Sequence, residues 1–221
     1  MLRGGSIAHV GSGIYRISGP DITSVFDDSS YLVTYDNCSI LIDSGSGISI
    51  KIMIEYILSV IRDLRDLKYL IITHAHHRNS GGVAYIRDLQ PEIMVIAHTP
   101  DSYYIRNPEK KYNQFIEELG VQRPAYVSIE ISEEEREIKL CGDIIRIIHT
   151  PCHTEGSMSI LISRGNILYA FVGGLLEERI SSEQCRESFR RILAYRPDVT
   201  CYSQGCIYGS DRLENIMRGF E

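Results

Sequence analysis

Two histidines one residue apart, His74 and His76, close an apolar run, Tyr69-Leu70-Ile71-Ile72, that reads as a buried strand. Side chains at i and i+2 leaving a strand end point into one cleft and can hold one cation. A third histidine, His153, sits in His149-Thr150-Pro151-Cys152-His153-Thr154-Glu155-Gly156-Ser157, directly after a second apolar strand at residues 144–148. Three neutral imidazoles and one water form an open tetrahedral zinc site. Such a site lowers the pKa of the bound water to about 7 and supplies hydroxide at neutral pH. Of the other histidines, His98 also ends a strand and is read as structural or pocket-lining, and His9 and His149 carry no supporting pattern. No phosphate loop, dinucleotide fingerprint or nucleophile elbow is present.

The elements that must position these histidines are legible from periodicity. Short strands are expected at residues 13–17, 30–34 and 39–43, the last two flanking the turn Asp36-Asn37. Ile50, Ile54, Ile57, Ile61 and Leu64 recur at helical spacing and predict one helix from Ile50 to Leu67. The strand at Tyr69 and the histidine segment follow. A short helix carrying Val83, Ile86 and Leu89 ends before Pro91, and a strand is expected at 92–97. Residues 100–119 read as helix interrupted at Pro108. Further strands are expected at 126–131, 137–140, 144–148, 157–163, 167–172 and 199–203, with helices from Ser181 to Tyr195 and from Ser210 to Phe220. Strands followed by helices in each half fit two sheets packed face to face with helices outside. No repeat, low-complexity tract or linker divides the chain, so residues 1–221 are expected to form one domain.

Bulk properties narrow the classes. With 43% apolar and 24% charged residues among 221, the chain can bury a sizeable core. Its net charge of −6 gives no field that favours nucleic acid or an anionic membrane, and the acidic run Glu133-Glu134-Glu135-Arg136-Glu137 reads as a solvated turn or strand end. Met1-Leu2-Arg3-Gly4-Gly5 leads into no sustained apolar region, and no stretch of about 18 apolar residues exists, so a cytoplasmic protein is expected. Six cysteines at 38, 141, 152, 185, 201 and 206 form no C-x-x-C pair and do not read as a secreted disulfide framework. Abundant isoleucine and absent tryptophan point weakly to a thermophile, which leaves room for an intracellular disulfide.

The segment Thr73-His74-Ala75-His76-His77-Arg78-Asn79-Ser80-Gly81-Gly82 resembles the metal signature of the metallo-β-lactamase superfamily, His-x-His-x-Asp-His before a small residue and Gly-Gly. Ser30-Tyr31-Leu32-Val33 and Ile42-Asp43-Ser44-Gly45 resemble its opening motifs. Thr150-Pro151-Cys152-His153-Thr154-Glu155-Gly156-Ser157 is similar to its Thr-Pro-Gly-His-Thr-x-Gly-Ser. Phe171-Val172-Gly173-Gly174 and Ser203-Gln204-Gly205-Cys206 align with segments that normally read Gly-Asp and Gly-His. The resemblance covers nearly the whole chain. It implies a four-layer αββα sandwich of two mixed sheets with outer helices and the metal site at one edge.

The resemblance makes His74, His76 and His153 the first-metal ligands. In the family the second metal uses the Asp and third His of the second motif, a bridging Asp and a late His. Here those positions read Arg78, Asn79, Gly174 and Cys206, so one metal ion is expected, zinc or alternatively iron. The fixed charge of Arg78 would repel a second cation, and it is expected to act in catalysis by clamping an anionic substrate, the alternative being that it turns outward and pairs with a surface carboxylate. The resemblance casts Asp43 as a hydrogen-bonding support for the ligand loop. Cys206 is a candidate fourth ligand or reactive thiol, or a partner of Cys152; two small buried residues are the plainer alternative. His77 is a candidate supporting residue, and Tyr103, Tyr104 and Tyr112 candidate pocket walls. The activity implied is hydrolysis of an ester, thioester or related bond in a small anionic molecule. The alternatives are an inactive binding or interface protein and, less favoured, an iron-dependent oxygenase. A homo-oligomer is left open.

Overall fold

The structure, a computed structural model, describes residues 6–113, 116–176 and 182–218. Met1 to Gly5, and Ser181 and Phe220 at the expected helix ends, lie outside the described residues.

Period-two burial builds two sheets. The first runs β1 (Ala8–Gly11), β2 (Ile14–Ser18), β3 (Ser30–Tyr35), β4 (Cys38–Ile42), β5 (Leu67–Ile71), β6 (Met94–His98) and β7 (Ile129–Ile131), hydrogen-bonded in that order. Its first four strands pair antiparallel, and β4 to β7 pair parallel. The second sheet has the order β13 (Gly205–Tyr208), β12 (Val199–Tyr202), β11 (Ile167–Phe171), β10 (Met158–Arg164), β9 (Asp143–His149) and β8 (Glu135–Leu140). Only β11 and β12 pair parallel in it.

Alternate residues of the strands face opposite layers. Ile40, Ile42, Ile71 and Ile96 meet Ile145, Ile147, Ile160 and Phe171 between the sheets. Leu41, Leu70, Val95 and Ala97 face outward and are covered by Met53 and Ile57 of α1 (Ile50–Val60), by Val83 and Ile86 of α3 (Val83–Leu89) and by Ile105 of α4 (Thr99–Arg106). Short α2 (His77–Ser80) precedes α3, and α5 (Ile116–Leu119) follows α4. On the second sheet, Ile148, Leu161 and Ala170 are covered by Cys185, Phe189 and Ile192 of α6 (Glu183–Leu193) and by Leu213 of α7 (Ser210–Arg218). The result is the αββα sandwich expected from the resemblance.

Three expectations change. The helix from Ile50 stops at Val60, because Arg62 takes a left-handed φ of 29° and the Asp63 carboxylate accepts the Arg65 amide to start a separate 3₁₀ turn. The strand expected from Tyr126 begins at Ile129, the Ser128 amide donating to the Val95 carbonyl just before it. The cysteines are paired: Cys38–Cys141, Cys152–Cys185 and Cys201–Cys206. Cys201 and Cys206 are cross-strand partners in the β12/β13 hairpin, and Cys38 and Cys141 meet because the sheets pack face to face. No helix among the described residues is long and apolar enough to cross a membrane.

Candidate metal centre

The site lies where chains leave β5, β9 and β11 at one edge of the sandwich. His74, His76 and His153 come together there, one ligand atom from each within 4.8 Å of the others. Their rings stand edge-on, with centroids 4.5–5.0 Å apart and interplanar angles of 84–89°. His74 is 1% exposed. Burial, then the neighbouring histidines, holds its pKa well below the usual range and pushes His76 down to about 4. Both are neutral near pH 7, the state a metal ligand needs.

Hydrogen bonds decide which nitrogens face inward. The Thr73 hydroxyl donates to Asp43 Oδ2 at 2.7 Å and so accepts from His74 Nδ1 at 3.0 Å. That places the His74 lone pair on Nε2, which is buried with no hydrogen-bond partner. His76 Nδ1 and His153 Nε2 face each other at 2.8 Å. Three converging nitrogens, one of them orphaned in the interior, are the donor set a zinc or iron ion takes. The residues present therefore fit the metal.

Supporting contacts hold each ligand loop. Asp43, in a left-handed conformation with φ of 60°, accepts from the Thr73 amide at 2.8 Å and from Asn79 Nδ2 at 3.1 Å. Burial raises its pKa to about 7 against these bonds. Asp101, at the start of α4 and 1% exposed, ties two ligand loops together. Its Oδ2 accepts from the Ala75 amide at 2.6 Å and the Thr154 hydroxyl at 2.7 Å, and its Oδ1 from the Gly156 amide at 2.9 Å. The sequence reading did not single out Asp101. Its only local signal is an acid in the first turn after Thr99-Pro100, which reads as ordinary helix start chemistry. Ser188 of α6 donates to the Pro151 carbonyl at 2.8 Å, and the Cys152–Cys185 disulfide makes a second tie from that loop to α6.

The positions that would carry a second metal do other work. Arg78 donates through Nε to Asp28 Oδ1 at 2.8 Å and through Nη1 to the Val25 carbonyl at 3.1 Å. Asp28 is 5% exposed and the Arg78 side chain 25%, so the guanidinium sits in a partly buried ion pair. Asn79 bonds Asp43. Gly174 packs against His153: a Cβ there would lie 2.4 Å from its Cδ2. Gly173, with φ of 52°, approaches Thr73 and His74 in the same way. Cys206 is bonded to Cys201 and is absent from the histidine cluster, which corrects the expectation of a fourth ligand or free thiol. Its cross-strand partner took it, and β13 was not read from the sequence. The alternative pairing of Cys206 with Cys152 is replaced by Cys152–Cys185 and Cys201–Cys206.

A cleft of about 280 Å³ opens over the ligands, lined by His76, His153, Lys111, Tyr112, Thr154 and Glu155. Tyr112 reaches the His76 ring at 5.6 Å and Tyr104 at 4.2 Å, while Tyr103 is half exposed outside the lining. His77 is buried beside Gly81 and outside the cluster. His98 stacks on His149 at 3.9 Å, also apart from the ligands.

Comparison with known proteins gives a consistent picture. The sequence model of the metallo-beta-lactamase superfamily matches residues 24–204. A thioesterase, pkgB of Emericella nidulans, is 28% identical over 145 residues, covering 64% of this chain and 34% of its own length. The chain thus spans about a third of that curated relative. Among solved structures, the metallo-beta-lactamase SMB-1 superposes with a TM-score of 0.77 at 16% identity, covering 98% of this chain and 93% of its own. A Cronobacter sakazakii metallo-beta-lactamase gives 0.74 at 20%, covering 90% and 80%. MIM-1 from Novosphingobium pentaromativorans gives 0.74 at 18%, covering 99% and 82%. At these identities the structures show a shared fold.

Proposed function

The chain belongs to the metallo-beta-lactamase superfamily, and from that premise we propose that it is a hydrolase working with one metal ion, zinc in the first instance, on an ester or thioester of a small anionic molecule. The observation that carries the reading is the buried, orphaned Nε2 of His74 converging with His76 and His153 under an open cleft. A metal in such a site acidifies a bound water and polarises a carbonyl.

The chain's own residues perform the rest. Asp43 and Thr73 fix the His74 tautomer, so its lone pair points into the site. Asp101 sets the spacing between the His74–His76 loop and the His153 loop. Arg78, at a position that aligns with a second-metal ligand, is paired with Asp28 and places a fixed positive charge where a second cation would need a ligand. Thr154 and Tyr112 wall the cleft beside His76 and His153, where an acyl group would lie. The thioesterase name of the Emericella nidulans relative favours a thioester. The cytoplasmic placement expected from the sequence fits three disulfides where the cytosol sustains them, as in hyperthermophiles; an oxidising compartment would do so as well.

The test is turnover of S-aryl thioesters by protein stripped with chelator and then reloaded with zinc. Activity absent from the stripped protein, restored by zinc and abolished in His153→Ala supports the reading; turnover that survives stripping sinks it. A second reading, a member kept for binding alone, is favoured by the four replaced second-metal positions, Arg78, Asn79, Gly174 and Cys206. It predicts stoichiometric metal and no turnover of any acyl substrate.

A further inference from the structure

The anion-binding group expected from the sequence, Arg78, is paired with Asp28 and does not line the cleft over the histidines, so a negatively charged substrate in that cleft meets another group. The cleft contains one. Lys111 lines it together with His76 and His153. Its ammonium rests over the Tyr104 ring at 4.2 Å and near the Tyr112 ring at 5.1 Å, and Tyr112 in turn lies 5.6 Å from His76. The two tyrosines pack on each other at 4.2 Å, so the aromatic bed and the histidine cluster are one continuous surface. A lysine ammonium has three donors. One is used on the Tyr104 hydroxyl at 2.7 Å, and the Glu109 carboxylate stands 3.8 Å away, beyond hydrogen-bond length. Donor capacity therefore remains for a ligand.

We propose that Lys111 binds the carboxylate of the acyl substrate whose ester or thioester carbonyl lies at the histidine cluster, and that this site selects monoanionic acyl groups such as those of short dicarboxylic acids. The inference rests on the hydrolase reading and names its substrate class. Charge balance favours a carboxylate over a phosphate. Lys111 is one cation with Glu109 beside it and Glu155 in the same cleft, so a doubly charged phosphate meets more repulsion there than a singly charged carboxylate. The cleft volume of about 280 Å³ suits a short acyl chain. The Tyr112 ring, which lines the cleft, covers the methylene chain between the two ends.

The experiment is calorimetric titration of the zinc-loaded protein with succinamate, its neutral analogue butyramide, and inorganic phosphate, in the natural chain and in Lys111→Met and Lys111→Arg. Succinamate is expected to bind at least about tenfold more tightly than butyramide, to lose that advantage in Lys111→Met, and to regain most of it in Lys111→Arg. Equal succinamate affinity in the natural chain and Lys111→Met, no succinamate binding at all, or tighter binding of phosphate than of succinamate would each overturn the proposal. Hydrolysis of acetyl and succinyl S-aryl thioesters is measured separately. Absent turnover with Lys111-dependent succinamate binding defeats the hydrolase reading and leaves the carboxylate site standing. Turnover with no preference for the succinyl ester does the reverse.

Discussion

Residues that never touch a metal decide whether this centre forms. Asp101 accepts three donors from two ligand loops while 1% exposed. Asp101→Asn turns one acceptor oxygen into a donor facing donors, so zinc affinity should fall about 10- to 100-fold while the fold survives. Competition with a chromogenic chelator reads this directly, and unchanged affinity would remove Asp101 from the account. Arg78 makes a different kind of contribution. Arg78→Ala strands the Asp28 carboxylate in the interior and should cost about 1–3 kcal/mol of stability, with the guanidinium's partial exposure keeping the loss below that of a fully buried pair. Urea unfolding should show that loss with zinc stoichiometry unchanged. A second zinc in this variant would mean that Arg78 alone excludes it.

At the scale of elements, the turn after β11 shows why the chain cannot regain a second metal by one substitution. Gly174 gives up its Cβ to His153, so Gly174→Ala should push the imidazole away and lower zinc occupancy, and Gly174→Asp should do the same without adding a metal. Elemental analysis showing two metals in Gly174→Asp would contradict this packing argument. The strands leading to the histidines were legible because Ile71-Ile72 and Ile147-Ile148 are apolar runs followed within a few residues by the ligands, and the helix faces of α3 and α6 carry their own periodicity. Three features were not legible. Asp101 acts across 26 residues to Ala75 and 55 to Gly156, a spacing no local pattern reports. Arg78 points to its partner only once the loop before β3 is folded beside it. Strand β13, four residues from Gly205 to Tyr208, is too short for a period-two signal, and with it went the pairing of Cys206.

For the whole molecule, a disulfide between the sheets and a buried histidine add to what the apolar core provides. Cys38–Cys141 closes a separation of 103 residues and joins the two sheets, so the Cys38→Ser/Cys141→Ser variant should lose about 2–4 kcal/mol. Unfolding with the same midpoint in the natural chain and the variant would show that the bridge does not stabilise the sandwich. His98 makes the molecule sensitive to acid. Burial first, then His149, pushes its pKa down to about 4, against the opposing pull of Glu133 and Glu134. The unfolded histidine takes up its proton below about 6.5. The unfolded state therefore binds more protons between about pH 6.5 and 4, and stability falls as pH drops through that window. His98→Phe keeps the ring stacked on His149 and removes the titration. On going from pH 8 to pH 5 it should lose about 2 kcal/mol less stability than the natural chain. Parallel pH curves for the two would rule His98 out as the source.

The claim on which all of this stands is a single metal ion held by His74, His76 and His153, and its most direct test is metal stoichiometry. Protein purified without chelator or metal-affinity resin is titrated with zinc and analysed for bound metal, beside His153→Ala. The account predicts one zinc per chain in the natural protein and none retained in the variant. Two zinc ions per chain, or none after zinc is supplied, would contradict it.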